Sequence, residues 1–221
     1  MNLPARHLDH ATLVGYSAGA LPVAFAAVVA SHLELCAACR GQLAVADAIG
    51  ARLIEQQEGA PLSAQARDAF RARLEGEAAA PPPSVPMAPP RADPDLLPTP
   101  LRPWFGERYS TLRWRAVGPG IHLLRAQDEA LGAQLMMLRT ASGKRMPMHS
   151  HGNNELTLIL RGAYDDVLGH FGPGDVADLD ADTEHQPVTS RGVPCICVAA
   201  SDAPMRFSGW IARAMQSVLR L

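Results

Sequence analysis

The chain has 221 residues, 48% hydrophobic and 19% charged, which is enough apolar material for real cores and excludes a chain disordered throughout. Its 20 Lys and Arg against 22 Asp and Glu leave a net charge of -2, so it has no electrostatic footprint for a phosphate backbone and direct nucleic-acid binding is disfavoured. No stretch reaches the roughly 20 apolar residues of a membrane helix, since the longest apolar run, 21–30, contains Pro22. The first residues, MNLPARHLDH, lack a secretory pattern, and a cytoplasmic location without membrane contact is expected. The cysteines occur as two local pairs, Cys36/Cys39 and Cys195/Cys197, which suit metal or thiol chemistry better than a framework of long-range disulfides.

Helical periodicity runs through the first 78 residues. Asp9 caps a short first helix to about Ala18, and Pro22 opens a second that carries Phe25, Val28, Val29 and His32. A third runs from about Cys36 or Cys39 to Gln57, and Ser63 caps a fourth through Ala66, Ala69, Phe70 and Leu74. Four helices of this size make a marginal core by themselves, so some staple is expected. Residues 78–103 hold 10 of the 19 prolines, which forbid helix and remove sheet donors, and they read as an extended, semi-rigid tether. Beyond it, short runs at 111–115, 121–126, 133–138, 155–160, 174–179, 186–189 and 195–199 alternate with Gly and Pro turn signals, the rhythm of an antiparallel barrel or double-sheet jelly roll. Ile211, Met215, Val218 and Leu219 follow helical spacing and predict a closing helix. The expected fold class is α plus all-β in two domains: a four-helix unit over 1–78, a Pro-rich linker over 79–103 and a β domain over 104–221, with few contacts crossing the linker.

Two constellations carry chemistry. His32, Cys36 and Cys39 form H-x-x-x-C-x-x-C, whose positions project from one face of a helix or helix junction and bring three soft or borderline ligands together. A closed structural zinc site needs a fourth ligand, which His7 or His10 can supply, and such a site would be the missing staple. The plainer alternative is a buried thiol pair beside an incidental histidine; a redox C-x-x-C is disfavoured because no βαβ unit precedes it. The second constellation, GKRMPMHSHGNNELTLILRG, places Gly143, His149, His151, Glu155 and Gly162 in G-x5-H-x-H-x3-E-x6-G. On a strand His149 and His151 share a face, Glu155 on the next strand completes a facial set, and His185 after the GPGD turn can add a fourth ligand. Such a set suits Zn, Fe, Mn or Ni. Cys195 and Cys197 share a strand face and are read as packing, and His122 and His170 as structural or solvent residues.

The first motif resembles the zinc anti-sigma domain, in which a first-helix His precedes H-x-x-x-C-x-x-C, and the second is similar to the cupin signature. Their order resembles that of the ChrR family of anti-sigma factors over essentially the whole chain, and the strings GYSAG, VVASHLELCAAC, ELTLILRGAY and CICVAASDAPMRF agree with it. The resemblance implies zinc on His7, His32, Cys36 and Cys39, because the family's first ligand is the His directly preceding the first helix. It implies a second metal, zinc or another divalent ion such as Fe or Mn, on His149, His151, Glu155 and His185 of the cupin. Thr189 stands where the general cupin motif has Asn, which weakens inference from cupin enzymes.

The function implied by the resemblance is that of an anti-sigma factor and not an enzyme. The helical domain would sequester an extracytoplasmic-function sigma factor in a 1:1 heterodimer, and the cupin would trigger release on an oxidative signal, singlet oxygen or derived peroxides. Leu13, Val14, Phe25 and Val29 are candidates to extend into a partner groove. The competing reading is a cupin metalloenzyme, a dioxygenase or isomerase, with a helical accessory domain, for which an open position on a His/Glu metal would be required.

Overall fold

The computed structural model describes residues 3–77 and 93–207. Four helices come first, α1 (His10–Ser17), α2 (Val23–Leu35), α3 (Ala37–Glu55) and α4 (Ala64–Glu77), and a one-turn α5 (Arg102–Phe105) follows the proline-rich stretch. Asp9 caps α1 by accepting from the Ala11 N–H at 2.7 Å, and Ser63 Oγ accepts from the Ala66 N–H at 3.1 Å ahead of α4. Pro22 is the N-cap of α2, one position earlier than expected. Cys36 ends α2 and caps α3 with an extended backbone (φ −113°, ψ 104°), which turns the chain between two helices at the metal motif itself. No helix among the described residues is long and apolar enough to cross a membrane.

The expected compact four-helix unit is corrected in its packing. Five helices occur among the described residues, four of them before residue 78, but α4 does not pack into a bundle, because residues 64–75 are exposed throughout. The reason lies in its sequence, AQARDAFRARLEGE, whose only large apolar residues are Phe70 and Leu74.

Twelve short strands follow among the described residues. They are β1 (Arg115–Gly118), β2 (Ile121–Arg125), β3 (Gln134–Thr140), β4 (His149–His151), β5 (Glu155–Arg161), β6 (Tyr164–Asp166), β7 (Gly169–Phe171), β8 (Val176–Leu179), β9 (Glu184–His185), β10 (Val188–Thr189), β11 (Cys195–Ser201) and β12 (Met205–Phe207). They pair antiparallel in a six-stranded sheet, β1-β2-β3-β11-β5-β8, and two three-stranded sheets, β10-β6-β7 and β12-β4-β9. The expected barrel or double-sheet jelly roll is therefore corrected to three sheets around a shared interior. Among the described residues no closed barrel forms, because no strand ladder joins one sheet to the next. The closing helix expected over 208–221 lies outside the described residues.

Period-two alternation gives the six-stranded sheet two apolar faces. Met136, Leu138, Glu155, Thr157, Cys195, Cys197 and Ala199 face an internal cavity. Leu135, Met137, Leu156, Leu158, Val198 and Ala200 join a core with Phe25, Val28, Val29 and Leu33 of α2. The expectation of few contacts between helical and β parts is thus reversed: they share one core, and α2, apolar on nearly every side, is its centrepiece. Residues 93–103, the end of the expected tether, are folded as well. Leu97 and Leu101 are buried in that core, the prolines being accommodated at the start of a 3-10 turn at Thr99–Leu101.

Candidate functional site

Side chains of His7, His32, Cys36 and Cys39 converge where the N-terminal segment crosses the α2–α3 junction, and one ligand atom from each lies within 4.8 Å of all the others. His32 Nε2 is 3.2 Å from Cys39 Sγ, and His7 Nδ1 is 3.3 Å from Cys36 Sγ and 3.7 Å from Cys39 Sγ. Ligands at ordinary zinc bond lengths in a tetrahedron stand about 3.3–3.8 Å apart, so two thiols and two imidazoles here fit a closed zinc site. His10, the other candidate for the fourth position, is the first residue of α1 and exposed. Burial lowers the His32 pKa and favours its neutral, ligating form, while burial pushes the Cys39 thiol above its usual range. A metal cation would reverse that cost for the thiolate. His32 Nδ1–H donates to the Gly174 carbonyl at 2.9 Å, which leaves Nε2 as the nitrogen aimed at the cysteines.

The β domain encloses a cavity of about 80 Å³ lined by His149, Glu155 and His185 together with Met136, Tyr164, Thr189, Cys195 and Cys197. β4 and β9 place His149 opposite His185, with ring centroids 4.5 Å apart. His149 Nδ1–H donates to the Pro147 carbonyl and His185 Nδ1–H to Asp166, each at 2.8 Å, so both rings present Nε2 as a ligating atom. The Thr157 hydroxyl donates to Glu155 Oε1 at 2.8 Å. The His151 side chain is not among those described; its backbone pairs with Met205 across β4 and β12. Cys195 and Cys197 flank this set, with burial pushing Cys195 up to about 12 and Cys197 well above the usual range, so both are thiols at neutral pH.

A third feature belongs to the helices. Along α3, Val45, Ile49 and Leu53 recur every fourth residue as one exposed stripe, Ile54 and Leu62 are exposed beyond it, and Phe70 and Leu74 are exposed at the same spacing on α4. Ile49 is 58% and Phe70 61% exposed, and within α3 Cys39 is the one fully buried residue. Exposed apolar residues at regular helical spacing make these helices the candidate interaction surface.

Residues 106–203 match the family model described as the ChrR cupin-like domain. The anti-sigma-E factor ChrR of Cereibacter sphaeroides is 38% identical over 217 residues, covering 97% of this chain and 98% of that protein. The chain belongs to the ChrR family of anti-sigma factors. The crystal structure of Rhodobacter sphaeroides SigE in complex with the anti-sigma ChrR is similar to this chain at a TM-score of 0.72 and 36% identity, over 89% of this chain and 98% of that one.

Against this family background, the sequence motifs led to His7, His32, Cys36 and Cys39, which the fold brings together, and to His149, Glu155 and His185, which share one cavity. Of the four residues expected to reach a partner, Leu13, Phe25 and Val29 are buried in the core and Val14 is exposed. The exposed apolar residues of α3 and α4 were missed as a surface, although the i, i+4 spacing of Val45, Ile49 and Leu53 and of Phe70 and Leu74 was available as a signal. Cys195 and Cys197, read as packing, line the His/Glu cavity because β11 turns its odd-numbered residues inward.

Proposed function

We propose that the chain is an anti-sigma factor that sequesters an extracytoplasmic-function sigma factor in a 1:1 complex and releases it on an oxidative signal. The observation that carries this reading is the exposed apolar side chains of α3 (Val45, Ile49 and Leu53) and of α4 (Phe70 and Leu74), which have the i, i+4 spacing of groove-binding helices and no internal use. The named ChrR relative and the SigE complex support it. Zinc on His7, His32, Cys36 and Cys39 fixes where α3 leaves the body of the molecule, and so presents the stripe.

The β domain is the sensing half. His149, His151, Glu155 and His185 hold a divalent metal, zinc or an ion such as Fe or Mn, beside the Cys195 and Cys197 thiols, and the signal, singlet oxygen or a derived peroxide, acts in this region. The role is regulatory rather than catalytic, since the likeness to an anti-sigma factor runs through the cupin-like part as well as the helices. Residues 1–78 bind the sigma factor, 79–103 connect and 104–221 sense; this is a division of labour within one shared core. Sigma factors act on polymerase in the cytoplasm, and the protein works there.

Co-expression with an extracytoplasmic-function sigma factor of the same organism tests the reading. A stable complex on affinity purification that falls apart after exposure to singlet oxygen is expected. A chain that elutes without the sigma factor under reducing, dark conditions would sink it.

A further inference from the structure

We propose that the β-domain turn at residues 172–175, between β7 and β8, is the outer shell of the helical metal site, with Gly174 and Asp175 as its positioning residues. The inference rests on the reading that His7, His32, Cys36 and Cys39 bind metal, and adds that retention of this metal is set by a contact from the opposite end of the sequence.

Both histidine ligands are held by this turn. His32 is fully buried, and its Nδ1–H donates to the Gly174 carbonyl at 2.9 Å. Its ring orientation toward Cys39 therefore depends on a carbonyl of the β domain. The segment that carries His7 is anchored by Asp175, which is itself buried. Asp175 Oδ1 accepts from the backbone N–H of Ala5 at 2.6 Å and of Arg6 at 2.9 Å, the two residues immediately before His7. The other oxygen, Oδ2, accepts from the Gly172 N–H at 2.8 Å and locks the turn. The Val176 N–H reaches the Arg6 carbonyl at 3.4 Å, which lays the segment along the open edge of β8.

The turn itself is fixed. Gly174 has φ +92°, a conformation that favours glycine, and a Cβ there would stand 3.0 Å from Pro4 Cγ. Its N–H donates to the Ile159 carbonyl at 2.8 Å, and the Ile159 N–H donates to the Asp175 carbonyl at 2.9 Å, which ties the turn to β5. The strand leading into the turn, β7, pairs with β6, where Asp166 accepts from His185 of the cavity at 2.8 Å. Hydrogen-bonded elements thus run from the cavity to the helical site.

The test uses the full chain, as wild type and as Asp175→Ala and Gly174→Ala. Each is loaded with zinc, then challenged with a chromogenic chelator while alkylation of each cysteine is followed by mass spectrometry. Cys36 and Cys39 report the helical site, and Cys195 and Cys197 report opening of the β domain. Outer-shell partners typically change metal affinity by about 10–100-fold, so zinc release and alkylation of Cys36 and Cys39 should be at least about tenfold faster in both variants. Cys195 and Cys197 should stay as protected as in wild type. Zinc release at the wild-type rate in variants that retain metal overturns the proposal, and so does parallel opening of all four cysteines, which would mean that the turn merely supports the β domain. A wild-type chain with no metal on the cysteine pair overturns the metal reading and this inference with it.

Discussion

Replacing Cys36 or Cys39 with Ser should release the helical metal and loosen α1 and α3 while leaving the β domain folded. Structural zinc contributes on the order of 10 kcal/mol to small domains of this kind, more than the packing of α1 on α3 can replace. The architecture makes the prediction sharper. Within α3, a 19-residue helix, Cys39 is the one fully buried residue, so its orientation depends on this site and on α1, which packs along it. By contrast α2 keeps Phe25, Val28, Val29 and Leu33 in the core shared with the sheet, and should survive. Circular dichroism should show a partial loss of helix, with bound zinc reduced by one equivalent. A variant with full helicity and no zinc on the cysteine pair would contradict this role for the metal.

The second large effect is expected on the surface. Ile49→Asp combined with Phe70→Asp should weaken sigma-factor binding by at least about a hundredfold, since burying each side chain contributes about 1.5–3 kcal/mol and a desolvated carboxylate adds to the loss. The melting temperature should hardly change, because both residues are exposed in the free chain. Phe25→Ala is the opposite control. That residue lies in the core, so the expected result is a loss of about 3–5 kcal/mol in stability, with binding affected only through folding. Isothermal titration and thermal melts on the same samples separate the two cases.

How much was legible in the sequence depended on whether the signal was local. Asp9, Ser63 and the H-x-x-x-C-x-x-C spacing act within one or two turns of helix, and the caps and the His/Cys cluster form where those residues put them. His149 and Glu155, close in sequence, line one cavity for the same reason. What escaped depends on partners distant in sequence. Leu13, Phe25 and Val29 have the same composition on the page as an exposed stripe, and only the position of the sheet shows that α2 is covered. The proline-rich composition of 78–103 concealed Leu97 and Leu101, which are buried because proline also suits the first turn of a 3-10 helix. The GPGD turn read only as punctuation between strands. Its use by His7 and His32 needs a contact across more than 140 residues, as in the hydrogen bond from His32 to Gly174.

The account rests on the claim that this chain keeps a sigma factor from its polymerase. In vitro transcription from a sigma-dependent promoter, with purified core polymerase, the sigma factor and increasing full-length chain, tests it most directly. The account predicts that transcription falls to background as the chain reaches equimolarity with the sigma factor, and that the Ile49→Asp, Phe70→Asp double variant does not inhibit at the same concentration. Undiminished transcription in the presence of excess zinc-loaded wild-type chain would contradict it.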